Sequence, residues 1–67
     1  MEVRRRLARN VVKFRGQRDW SQEELAEEAG LHRTYVSGVE RGVRNPTIQI
    51  VERLAKALKV SASQLLE

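Results

Sequence analysis

Between Trp20 and Gly30 the chain carries the complete start and stop signals of one short helix, and that unit limits what the rest can build. Ser21 is a residue type that accepts from first-turn N–H groups, and Glu24, three positions on, can return the bond to the Ser21 N–H. Trp20 before this cap and Leu25 after it make a hydrophobic staple, completing a capping box with its staple. Glu23 and Glu24 also suit the positive end of a helix dipole. Gly30 stops the helix, so the spacing predicts a helix from Gln22 to about Ala29 that buries Leu25, Ala26 and Ala29. A helix this short is marginal alone. Its apolar side must be covered by neighbours close in sequence.

Those neighbours read as helices too. After a turn over Gly30 to His32, residues Arg33 to Arg41 predict a short helix that buries Val36 and Val39 and, one step on, Glu40, ended by Gly42 in a left-handed conformation. Two short helices joined by a tight glycine-containing turn form the helix-turn-helix pattern. Upstream, Val3, Leu7, Val11 and Phe14 recur at helical steps, with Ala8 and Val12 beside them. Downstream, Thr47 after Asn45-Pro46 caps a fourth helix striped by Val51, Leu54, Ala55 and Leu58, with Lys56 and Lys59 at its negative end. Ser61 with Gln64 makes a second capping box, and Val60 with Leu65 a second staple, for a final short helix. The prediction is an all-α chain of five helices, with residues 1–67 as one domain.

Length sets the size of the core. A 7.7 kDa chain scales to roughly 4,300 Å² of surface when folded against roughly 11,000 Å² unfolded, so about 60% is buried and the core is small. The absence of cysteine removes disulfides, thiolate metal sites and cysteine nucleophiles, which fits a reducing compartment. No apolar run approaches the ~20 residues that span a bilayer, and the N-terminus is rich in arginine rather than signal-like. A soluble protein of the cytoplasm is expected, with no membrane partner.

Charge gives the first hint of a partner. The formal net charge is +4, and a small domain with a pI near 10.4 is a candidate for polyanion binding. Residues 1–18 hold seven Arg or Lys against Glu2 alone, whereas Asp19, Glu23, Glu24, Glu27 and Glu28 follow with no base among them. Part of that acidic block is helix-start chemistry. Solvated helix faces explain such runs equally well, so charge by itself leaves the partner open. Arg4, Arg5 and Arg6 go around a helix rather than along one face.

Catalysis and metal binding find little support. His32 has no second His or Cys near it, so no metal site is expected. His32, Ser37 and Glu40 lie close in sequence, but a helical domain of this size offers neither a cleft nor an oxyanion hole. Neither an enzyme nor a bound cofactor or small-molecule ligand is expected.

The run Trp20-Ser21-Gln22-Glu23-Glu24-Leu25-Ala26, then Gly30, then Arg33-Thr34-Tyr35-Val36-Ser37-Gly38-Val39-Glu40-Arg41-Gly42, then Arg44-Asn45-Pro46-Thr47, resembles the Cro/C1-type (XRE-family) helix-turn-helix regulators of bacteria and phages. The similarity runs from about Arg9 to Leu66, and Arg-Thr-Tyr, Ser-Gly and Arg-Asn are most similar to the controller proteins of restriction-modification systems. The resemblance implies a compact lambda-repressor-like domain and a nucleoid-associated, sequence-specific regulator of transcription, either a repressor or a dual activator and repressor. It would bind a pseudo-palindromic operator in double-stranded DNA as a homodimer.

The resemblance also assigns roles. The third helix would enter the major groove while the second crosses the backbone. Arg33 and Thr34 would meet base edges, Arg33 as a bidentate partner for guanine. Tyr35 would lie on the backbone or a deformable step, and Ser37 would contact a base or phosphate. Ser21, Gln22 and His32 would meet phosphates near helix starts, and Arg44 with Asn45 would grip the sugar-phosphate chain. Arg15 and Glu40 match a buried ion pair between the first and third helices. His32 departs from the usual capping residues, and Gly38 stands where many relatives carry a longer base-reading side chain. Ile50 and Leu66, off the main stripes, are candidates for a dimer seam, with a place at the periphery of the core as the equal alternative. A protein-binding or antitoxin-like adaptor on the same fold is the alternative. The end of the chain at Glu67 weighs against it, because partner-binding segments normally extend beyond such a domain.

Overall fold

The computed structural model describes residues 2–67; Met1, the first residue of the expected domain, lies outside them. Among the described residues there are five helices and no strand: α1 Glu2–Gln17, α2 Gln22–Ala29, α3 Arg33–Glu40, α4 Ile48–Leu58 and α5 Ala62–Leu65. Every expected helix is present. The accessible surface is 4477 Å², close to the roughly 4,300 Å² expected from mass.

The caps form as the sequence predicts. Ser21 Oγ accepts from the Glu24 N–H at 3.1 Å while Glu24 Oε1 accepts from the Ser21 N–H at 2.7 Å. Ser61 and Gln64 repeat the box at 3.1 and 2.9 Å, and Thr47 Oγ1 accepts from the Ile50 N–H at 3.2 Å. Each such cap is worth about 1 kcal/mol. At Gly30, φ is +70°, and the Leu31 N–H reaches back to the Ala26 carbonyl at 2.8 Å, closing α2 with a left-handed turn.

These boundaries place the apolar faces on one another. α2 packs on α3 and α4, α1 on α3 and α5, and α4 on α5. Leu7 and Val11, Leu25, Val36 and Val39, Leu54 and Leu58, and Leu65 form the centre, so all five helices contribute to one core. Trp20 packs against its edge. Asn10 is a buried polar residue. Its Nδ2 donates to the Leu65 carbonyl at 2.9 Å and to the Glu67 carbonyl at 3.3 Å, tying α1 to the end of the chain.

Three local readings are corrected. α3 ends at Glu40, with Arg41 as its cap and Gly42, at φ +74°, turning the chain away. Lys59 is not merely a charge at the end of α4: at φ +59° it is itself the left-handed terminator, a position glycine usually fills. Val3 and Val12 are exposed, at 44% and 42%, so the buried stripe of α1 narrows to Leu7, Ala8 and Val11, with Phe14 at its edge. Val3 lies instead along an open apolar groove with Pro46, Ile48, Ala62 and Leu66.

Candidate nucleic-acid interface

α3 turns its valines inward and Arg33 and Thr34 outward. Val36 and Val39 are fully buried, while Arg33 and Thr34 are exposed in the first turn and Tyr35 and Ser37 are half-buried. His32 caps the helix in an extended conformation (φ −77°, ψ 143°) with no side-chain bond, as its departure from the usual capping residues led us to expect. Its carbonyl accepts from the N–H groups of Tyr35 and Val36 at 3.0 and 3.1 Å. The N–H groups of Arg33 and Thr34 precede the first intrahelical bond and point to solvent. A helix start of this kind favours anions.

An ion pair beneath the helix fixes its orientation. Arg15 Nε donates to Glu40 Oε2 at 2.7 Å and Nη2 to Oε1 at 3.0 Å, a bidentate fork, while Nη1 donates to the Trp20 carbonyl at 2.7 Å. The Glu40 side chain is only 5% exposed. The hydrogen bond to Glu40 raises the Arg15 pKa above its ordinary value; partial burial opposes the rise and the Coulombic attraction of Glu40 adds to it. Arg15 therefore stays charged. Gln22 Nε2 joins from α2, donating to Glu40 Oε1 at 2.8 Å. Gln22, read as a phosphate contact, is thus also the strut that ties α1, α2 and α3 together. Sequence spacing gave no sign of that second role.

The remaining site residues fall around this frame. Ser21 is engaged in its capping box, and Ser37 Oγ accepts a long 3.4 Å contact from Arg41 Nε. Arg44 and Asn45 are exposed in the α3–α4 loop. The Arg44 guanidinium does not extend into solvent: it lies over the Tyr35 ring, 5.1 Å from the centroid. This lays Arg44 against Tyr35 on α3. Arg18 stacks likewise over Trp20 at 5.0 Å and donates to the Leu58 carbonyl at 3.2 Å, contacts that the sequence reading did not single out.

Ile50 and Leu66 are not brought together. Ile50 is half-buried against the core, whereas Leu66, 37% exposed, lines the apolar groove with Ile48, which is 83% exposed. Ile48 is the residue that sequence reasoning missed. It stands at the first position of α4, three residues before Val51 and seven before Ala55, so helical spacing allows it on the stripe, yet the structure leaves it exposed.

The comparisons agree with this geometry. A family model described as "Helix-turn-helix" matches residues 11–65. The control protein C.SmaI of Serratia marcescens is 48% identical over 66 residues, which cover 98% of this chain and 79% of that protein. Two other curated relatives are spanned over only 61% and 58% of their length. The crystal structure of the restriction-modification controller protein C.AhdI of Aeromonas hydrophila superposes with a TM-score of 0.89 at 37% identity, covering 92% of this chain and 94% of that one. SinR, the master regulator for biofilm formation, solved in complex with DNA, gives 0.86 at 35% identity, covering 91% and 98%. The chain belongs to the helix-turn-helix family of DNA-binding transcriptional regulators, and within it is similar to the restriction-modification controller proteins.

Proposed function

We propose that this chain is a sequence-specific regulator that binds a pseudo-palindromic operator as a homodimer. The observation that carries this reading is the outward display of Arg33 and Thr34 on a helix whose other face is locked by Val36, Val39 and the Arg15–Glu40 fork. Arg33 reads guanine in the major groove, and Thr34 meets a neighbouring base. Tyr35 lies on the DNA backbone or a deformable step, and Ser37 contacts a base or a phosphate. Ser21, Gln22, His32, Arg44 and Asn45 hold phosphates and set the register without reading sequence.

The size of one copy supports the pairing. The longest Cα extent is 26 Å, short of the ~34–36 Å between half-sites one helical turn apart. The groove with Ile48 and Leu66 supplies an apolar surface for the second copy. Among the described residues no helix is long and apolar enough to cross a membrane, and the regulator acts on DNA in the cytoplasm as a repressor or as a dual activator and repressor. Selection of duplexes from a randomised pool, with sedimentation of the protein alone and on the selected duplex, tests the reading. A pseudo-palindrome bound by two copies is expected. Sequence-blind binding, or binding by a single copy, overturns it.

A further inference from the structure

Gly38 is buried in the middle of α3, and its nearest cover is not a core side chain. A Cβ built on Gly38 would meet Arg44 Cγ at 2.6 Å, Nε at 3.1 Å and Cδ at 3.4 Å, so its three nearest neighbours all belong to one side chain. The backbone brings that side chain there. The Gly38 carbonyl accepts from the N–H groups of both Val43 and Arg44, at 3.0 and 3.3 Å, folding the loop back over the end of α3. From this anchor Arg44 crosses the bare backbone of Gly38 and ends over the Tyr35 ring at 5.1 Å.

We infer that Gly38 is a positioning residue for Arg44: its missing side chain is the seat that lays the guanidinium along the exposed face of α3. Gly38 stands one turn beyond Thr34 in the same row. A longer residue there would project its own group toward DNA; here the loop arginine takes that place, held by stacking instead of by the helix. An arginine fixed against α3 is presented to DNA at less entropic cost than one free in a loop. The inference rests on the DNA-binding reading only for its affinity readout, and the pose itself can be measured without DNA.

Gly38→Ala separates the two roles by sign. Alanine is the better helix former at an interior position, so a fold indifferent to the seat melts higher after the change. A Cβ at 2.6 Å from Arg44 Cγ displaces a flexible side chain rather than the backbone. The expected result is a folded protein in which the upfield ring-current shift of the Arg44 Hδ protons over Tyr35 is lost in the NMR spectrum. Affinity for the duplex selected by the wild-type protein falls about tenfold, to the level of Arg44→Ala, and the salt dependence falls by about one ion. The double variant Gly38→Ala/Arg44→Ala binds no more weakly than either single change. An Arg44 shift that persists in Gly38→Ala, unchanged affinity despite its loss, or losses that multiply in the double variant each overturn the inference. Should Gly38→Ala fail to fold, the double variant decides. Folding, with a melting temperature above that of Arg44→Ala, identifies Arg44 as the obstructing group; failure of the double variant to fold refutes the seat. A protein that binds no duplex but shows the Arg44 shift, lost in Gly38→Ala, refutes the DNA-binding reading and leaves the seat standing.

Discussion

Arg33 on the reading helix and Arg15 beneath it are held by opposite means, and the loss of each interaction should differ accordingly. Arg33 is exposed at the start of α3, ahead of the helix's own hydrogen bonds. Replacing it with alanine should cost ~1–3 kcal/mol of binding free energy and relax preference at one base position, with stability nearly unchanged; competition binding against single-base variants of the selected duplex measures this. Arg15 is the inward counterpart. Glu40→Ala strands its guanidinium beside the Trp20 carbonyl, and losing one partner of such a pair typically costs ~3–5 kcal/mol. With Arg15 about one-fifth exposed, water tempers the loss, so about 3 kcal/mol is expected in urea unfolding. The pH dependence has a definite sign. Because the Arg15 pKa is raised on folding, its contribution is complete below the ordinary arginine value and is lost only as pH rises through the folded one. Arg15 therefore adds no slope to stability anywhere near neutral pH.

At the scale of elements, what was legible follows from which interactions are local. The boxes at Ser21 and Ser61 and the Thr47 cap use residues three apart, so sequence spacing alone specifies them. The Arg15–Glu40 pair, whose partners stand 25 positions apart, was accessible only through family resemblance. The Asn10 bonds to the chain end, the Gln22 strut and the Gly38 seat were hidden. Each joins residues brought together by the completed fold, and none leaves a periodic trace. Lys59 shows the converse case, a position where the sequence contradicts its own geometry. A left-handed conformation costs a residue with a Cβ ~1–2 kcal/mol, and at φ +59° Lys59 bears that cost. Lys59→Gly should therefore stabilise the domain, by about 1 kcal/mol after the greater freedom of glycine in the unfolded chain is deducted. Thermal unfolding of the two proteins side by side checks it. A melting temperature that falls would mean that the lysine side chain contributes more than its backbone costs.

For the whole molecule, the decisive question is what covers the open groove. Ile48 is 83% exposed at the start of α4, with Val3, Pro46 and Leu66 around it, in a domain whose core is otherwise closed. If the second copy of the proposed dimer sits there, a charge at Ile48 is placed near its own symmetry mate, because a two-fold interface presents the same patch from both sides. Ile48→Asp should then leave the isolated fold intact, since the side chain touches little of the core, while weakening self-association at least tenfold in sedimentation. Binding to a duplex with two half-sites should weaken and lose cooperativity, while binding to a single half-site should change little. Ile50→Asp separates packing from pairing. Ile50 is half-buried against the core, so its replacement should lower the melting temperature, whereas Ile48→Asp should not. A dimer indifferent to Ile48→Asp would move the seam elsewhere on the molecule and leave the reading helix where it is. Loss of stability in Ile48→Asp equal to that in Ile50→Asp would instead make the groove part of the fold rather than a surface for a partner.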